Sequence, residues 1–351
     1  MKSKLHTLLG GALTAAVLAA GFYASLAGKE PAGAPATQAP AKPAESGAAA
    51  TPATPQSGTI KIGAWNIEWL GKPEDRSGAA KNIAQVPADL ADCIAASGVA
   101  ILGVEEIVAR DPGRPTRSRE IEATIEALKG RTGALWDYVL FPGRAVGDQL
   151  TGILWNTGVV TALTRTGATW RQTADSPWEV PIPRGRSAQG SLLWNRPPHA
   201  MKFSTGRGKT DVVVIVVHMK ADYNGDFAAH RLEEARALVG ALPAVRTAFS
   251  DSDLVIIGDT NFTQDREPAL AALEGAGLVD LNTGRTQTHW RGGAMDRAFV
   301  PADQPEFAAR AFGAVSGSYL DARRMTPAEF KKRYSDHYLI TTNVKVMPDD
   351  D

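Results

Sequence analysis

One cysteine, Cys93, stands in 351 residues. No intrachain disulfide can form, so a fold of this length must rest on its core and on any metal it binds. Cys93 falls on the apolar side of a helical stretch, Leu90-Ala91-Asp92-Cys93-Ile94, and reads as a buried, inert thiol. Net charge is lacking too, since 38 Lys and Arg offset 38 Asp and Glu. A general electrostatic pull on polyanions is thereby excluded, and any such attraction has to be local. No internal repeat is present.

What is there begins at the N-terminus. Lys2 and Lys4 precede an apolar stretch from Leu8 to about Ala27, and Ser25-Leu26-Ala27 offers small residues at both positions that a signal peptidase reads. Residues 1–27 match a secretory signal. An uncleaved anchor is the alternative, because about 20 apolar residues can just span a bilayer. Either way the rest of the chain is expected to be secreted or periplasmic, or membrane-anchored if the segment stays. Residues 28–58 are mostly Ala and Pro, with prolines at 31, 35, 40, 43, 52 and 55. No apolar periodicity survives there, which predicts an extended, disordered linker or tether.

From Thr59 to about residue 347 the pattern is globular. Ile60–Trp65 and the apolar run Val99–Val104 predict strands, the second closed by Glu105-Glu106. Ala88–Ala96 predicts a helix. Ser118 caps a second helix that carries Ile121, Ile125 and Leu128 and is expected to end at Gly130. Thr151–Trp155 and Val159–Leu163 predict a hairpin around Asn156-Thr157-Gly158. Thr164–Pro198 is irregular. Asp211–Val217 and Leu254–Ile257 are β-branched runs, and Phe227–Leu242 has the wide apolar face of a helix. Met295–Val300 and Tyr338–Val346 complete the strands. Many short strands with few helices between them predict an α/β fold of two packed mixed sheets flanked by helices, a four-layered sandwich.

Polar residues cluster at the edges of these runs. Asn66 closes the first strand, Glu106 the second, and His218 follows Val212–Val217 directly. Asp259 and Asn261 flank Thr260 after Gly258, Asp296 opens a strand, and Asp336-His337 precedes the last one. Singly each has an ordinary reading: an Asx turn, a satisfied strand-end histidine, a solvated loop. Together they set carboxylates, imidazoles and amides on one rim, as metal-assisted attack on a phosphate ester requires.

These stretches, Thr59–Gly71 (TIKIGAWNIEWLG), Gly103–Ile107, Val217–Lys220, Gly258–Asn261, Met295–Arg297 and Ser335–His337, resemble the motifs of the endonuclease/exonuclease/phosphatase superfamily, in order, over nearly the whole globular part. Asn195–Pro198 with Lys202-Phe203-Ser204, and Asp296-Arg297, lean towards deoxyribonuclease I and similar bacterial secreted enzymes. The resemblance implies a metal-dependent phosphodiesterase cutting nucleic acid, DNA first, with no obligate protein partner. It implies Glu106 as principal metal carboxylate, with Asn66 and Asp336 completing or orienting the site. Oxygen ligands of this kind suit Mg²⁺ or Mn²⁺, with Ca²⁺ also fitting. His337, oriented by Asp296, would take a proton from water. His218 would contact the phosphate or protonate the leaving oxygen. Asp259 and Asn261 would hold the nucleophile and a non-bridging oxygen, and Arg196 would bind a phosphate.

The chain departs from that pattern in places. Glu105 stands where the superfamily often has Gln, and Gln149 where deoxyribonuclease I has a Glu beside its histidine. Val108 replaces an arginine, although Arg110, Arg114, Arg117 and Arg119 lie just beyond. Glu68 reads equally as an extra ligand or a solvated strand-end residue. Trp170, Trp178, Trp194 and Trp290 either pack a long loop or stack bases. His199, His230 and His289 carry no assigned role. A lipid phosphodiesterase, a phosphomonoesterase and a non-catalytic tethered binding module are the alternatives.

Overall fold

The computed structural model describes residues 58–349 other than 75–79, 82, 144–147, 172–176, 223–224 and 264–265. The expected signal or anchor lies outside the described residues, as does all of the linker but Gly58. No helix among the described residues is long and apolar enough to cross a membrane.

The chain runs β1 (Thr59–Leu70), α1 (Pro87–Ser97), β2 (Ile101–Val108), α2 (Arg119–Thr132), β3 (Trp136–Leu140), β4 (Gln149–Asn156) and β5 (Thr161–Leu163). Then come β6 (Trp178–Glu179), β7 (His199–Ser204), β8 (Asp211–His218), α3 (Ala228–Phe249), β9 (Leu254–Asp259), α4 (Pro268–Gly275) and β10 (Leu278–Asp280). Last are β11 (Asp296–Pro301), β12 (Phe312–Ala314), α5 (Gly317–Ala322), α6 (Pro327–Arg333) and β13 (Ile340–Lys345). One sheet has the order β12-β13-β1-β2-β4-β3, the other β10-β11-β9-β8-β7-β5 with β6 on β7. Within each, one central pair is parallel, β1 with β2 and β8 with β9.

Side-chain alternation divides the core into three layers. Val212, Val214 and Val216 point from β8 into the space between the sheets, against Ile62, Ala64, Ile101 and Ile153. Val213, Ile215 and Val217 point outward onto Leu238, Leu242 and Phe249 of α3. On the far side of the first sheet, Trp65, Leu102 and Leu154 pack on Leu90, Cys93 and Ile94 of α1 and Leu128 of α2. The four-layered sandwich is as the strand and helix pattern implied.

Local expectations fared unevenly. Ser118 does cap α2, its Oγ accepting the Ile121 N–H at 3.3 Å. That helix runs past Gly130 to Gly133, whose φ of 71° supplies the left-handed cap; a glycine inside a helix costs only about 1 kcal/mol. The hairpin over Thr151–Leu163 does not form. β4 pairs with β3 in the first sheet, whereas β5 crosses to pair with β7 in the second. Asn156 turns the chain out of one sheet and into the other. Glu105 and Glu106 lie inside β2 rather than at its end, where the register with β4 shifts between Val104 and Ile107. α3 continues through Pro243, because Leu238, Leu242, Val245 and Phe249 bury both halves on the same sheet. Trp170 and Trp194 are buried in the core and Trp178 packs edge-on against Phe249, so these three pack the long loop.

Candidate active site

The C-terminal ends of the two parallel pairs meet at one cleft of about 760 Å³, lined among others by Glu106, His218, Asp259, Asn261, Asp336 and His337. Close approach of the sheets there depends on Gly258. Its φ is 142°, and a Cβ would fall 2.1 Å from the Val217 carbonyl oxygen and 2.6 Å from Glu105 Oε1. Glycine lets β9 press against β8 while still delivering Asp259.

In the first sheet the backbone is contorted instead. Glu68, Trp69 and Glu106 have φ of 34°, 55° and 60°, and Asn261, just past β9, has 53°. Non-glycine residues rarely adopt this conformation unless the surroundings enforce it. Lys81 is one enforcer: its Nζ donates to the Trp69 carbonyl at 2.9 Å and to Gln85 Oε1 at 2.8 Å. Gln85 Nε2 in turn donates to the Ile67 and Tyr334 carbonyls. Burial pushes the Lys81 ammonium down to about 8. The result places Glu68 over Lys331 at 3.0 Å, with its second oxygen taking the Asp336 N–H.

Asn66 brackets the carboxylates. Its Nδ2 donates to Asp259 Oδ2 at 3.0 Å and Glu106 Oε1 at 3.3 Å, while its Oδ1 accepts the Glu68 N–H. Through its nitrogen it orients Glu106 and Asp259. His218 Nε2 lies 3.6 Å from Asp259 Oδ2 and 3.8 Å from Glu106 Oε1. Asn261 donates its backbone N–H to Asp259 Oδ1 and its Nδ2 to the Met219 carbonyl, tying the exits of β8 and β9 together.

Opposite stands His337, its Nδ1 2.9 Å from Asp296 Oδ2 and its Nε2 3.8 Å from Asp259 Oδ2. Burial alone would push the His337 imidazole down, but Asp296 and Asp259 together hold it well above its ordinary value. Burial raises Asp259 to about 6, with His337 opposing and Asp296 assisting. Glu105 is fully buried, neither oxygen has a hydrogen-bond partner, and burial with Asp296 and Asp259 nearby pushes it far up.

The donor set fits a divalent cation. Asp296 Oδ1 is buried without a hydrogen bond, and Asp259, Asp296 and His337 each present a ligand atom within 4.8 Å of the others. Asp336 is grouped with His289 and His337. Arg196 lies outside the cleft lining; its Nη1 donates to Gln149 Oε1, and Gln149 therefore pairs with it. His289, Lys81 and Lys331 also line the cleft, although no motif in the sequence marks them for it. Only the Gly292-Gly293 turn beyond His289, bending that loop back, hints at its placement.

Two packed mixed sheets with helices outside are a fold found in solved structures of low sequence identity. The human Nocturnin catalytic domain with bound sulfate anion shares it, at 13% identity over 83% of this chain and 96% of that one, TM-score 0.52. Truncated Caenorhabditis elegans TDP2 does so at 14% identity over 82% and 99%, TM-score 0.50. No family model and no curated protein matches the sequence.

Proposed function

We propose that this chain is a metal-dependent phosphodiester hydrolase working outside the cytoplasm, and that its substrate is DNA, cut internally. The observation that carries the reading is the buried His337–Asp296 pair, with His337 lining one cleft together with Glu106, His218 and Asp259. With Nδ1 committed to Asp296, Nε2 is the atom of His337 that would take a proton from water, once a bound cation offsets the carboxylate charge that holds the imidazole above its ordinary value. His218, between Glu106 and Asp259, is placed to donate towards a leaving oxygen. Asn66 fixes the two carboxylates it bridges, and Asn261 holds a non-bridging oxygen. Glu106 and Asp259, with Asp336 at the edge, are the oxygens that would hold Mg²⁺, Mn²⁺ or Ca²⁺. The bound cation supplies positive charge to the phosphate oxygens as negative charge builds on them. Lys81, Arg291 and Lys331 line the cleft beside its carboxylates, and a bound cation would offset those carboxylates as a polyanion approaches. The location rests on the signal-like residues 1–27.

The test is supercoiled plasmid with Mg²⁺, against EDTA and His337→Ala controls. Nicking abolished by both supports the proposal. No cleavage with any of the three cations removes DNA as substrate and shifts the assignment to RNA, lipid or monoester phosphates.

A further inference from the structure

His289 enters none of the roles above, yet its ring makes an edge contact with His337, centroids 5.1 Å apart. The two segments are laced together. Trp290 N–H donates to the Asp336 carbonyl at 2.9 Å and Tyr338 N–H to the Thr288 carbonyl at 2.7 Å, flanking a bridge between His289 and His337. Asp336 lies between the imidazoles, Oδ1 3.9 Å from His337 Nε2 and Oδ2 3.9 Å from His289 Nε2. One ligand atom from each of the three lies within 4.8 Å of the other two.

We propose that His289, Asp336 and His337 form a site for a transition-metal dication such as Zn²⁺, distinct in chemistry from the oxygen-rich set around Glu106. Two imidazole nitrogens and one carboxylate favour Zn²⁺, Co²⁺ or Ni²⁺, whereas Mg²⁺ and Ca²⁺ want oxygen. The spacing is wider than a bound ion sets. Around a tetrahedral ion with bonds of about 2.0–2.1 Å, neighbouring ligand atoms stand roughly 3.4 Å apart. The two 3.9 Å separations run to different oxygens of Asp336, and the three ligand atoms lie within 4.8 Å of one another, so closing on one ion takes shifts of up to about 1.4 Å. The outer contacts are in place as well: Asp296 on Nδ1 turns the Nε2 of His337 to the cleft, and Glu68 takes the Asp336 N–H. Three protein ligands facing a cleft leave the fourth position open. One contact is given up on binding. His289 Nδ1 accepts the Arg291 N–H at 3.3 Å, and freeing the Nε2 lone pair moves the ring proton to Nδ1. This keeps the affinity below that of a closed structural site.

The site stands whether or not the chain is a phosphodiesterase. Its consequence rests on that reading: a His337 Nε2 that holds a metal cannot accept a proton from water, so Zn²⁺ should inhibit where Mg²⁺ supports.

The experiment titrates the full chain, stripped of metal, with Co²⁺ in the presence of saturating Mg²⁺, reading visible d–d absorption. The expected result is one equivalent of absorbing Co²⁺, displaced by Zn²⁺ and retained in Glu106→Gln. In His289→Ala and His289→Gln the affinity should fall by more than the roughly 10–100-fold that loss of an outer-shell partner costs. Absence of the band, or a band unchanged in both His289 variants, overturns the site. Rates on plasmid with and without Zn²⁺, taken as a ratio for each protein, test the consequence. The ratio should drop for the parent and stay near one for His289→Ala, and equal inhibition of both overturns it. Were no protein to cleave under any condition, the proposed function would fail while the Co²⁺ spectrum still decided the site.

Discussion

The two sheets bring a parallel pair of strands to the same cleft by opposite means. In the second, β8 and β9 stay in register to the last residues, His218 facing Asp259, and a glycine makes room for the approach. In the first, β1 and β2 lose register between Asn66 and Leu70, and Glu106 sits at φ 60°. One half removes a side chain to fit; the other keeps its side chains and holds a strained backbone. The second half supplies groups already at a strand end, so nothing need bend. The first must turn a carboxylate out of the middle of a buried strand, and a bulge is how a strand re-aims a side chain.

The largest expected effect comes where the halves meet. His337→Ala should lower the rate by about 10²–10⁴-fold, the usual contribution of a positioned acid–base group. Initial rates, with circular dichroism to confirm folding, check this, and a rate within a few-fold of the parent would remove His337 as the base. Next is Gly258→Ala, which should destabilise by about 3 kcal/mol in urea unfolding, from a glycine-only φ and a blocked contact. A small change there would mean that the second half is not built on close approach.

The outer layers differ as well, in a way pH can read. Behind the second sheet, burial pushes Glu234 of α3 from 4.5 to about 8. The folded chain keeps a proton that the unfolded chain gives up near pH 4.5. This contribution is therefore complete below that pH and is lost as pH rises towards 8. Stability should fall across the window by on the order of 2–4 kcal/mol, and Glu234→Gln should flatten the slope. Behind the first sheet the corresponding buried group is Cys93, whose thiol burial pushes further up, so it stays neutral throughout. Smallest is Glu106→Gly, expected to relieve about 1 kcal/mol of strain while lowering activity. A loss of stability instead would show that the bulge stores nothing.

What could be read from the sequence follows the same division. His218, Asp259, Asp296 and His337 were visible because each borders a β-branched run, and a strand end can be read from composition. Glu106 lies inside β2 although the pattern sets it at a strand end, since a bulge inside a buried strand leaves the apolar run looking as if it had ended. The β4–β5 crossover looks like a hairpin in sequence because Asn156-Thr157-Gly158 is a good turn for either, and nothing local says which sheet the chain enters next. Lys81, Gln85 and His289 act through carbonyls and loops far away in sequence, and no spacing rule encodes such contacts. Gln149 stands out in the sequence as a departure, and its pairing with Arg196 exists only in the fold.

β1 also has a direction. It starts at Thr59 opposite Lys345 and reaches the cleft only at Asn66, roughly 23 Å further on at about 3.3 Å per residue. Gly58 accepts the Val346 N–H, so the chain enters and leaves the sandwich at the same far end. A bead, a dye or a fused protein attached on either side would sit at the back of the molecule with the cleft mouth pointing away. Immobilised in that way, the domain should meet a long polymer as freely as it does in solution.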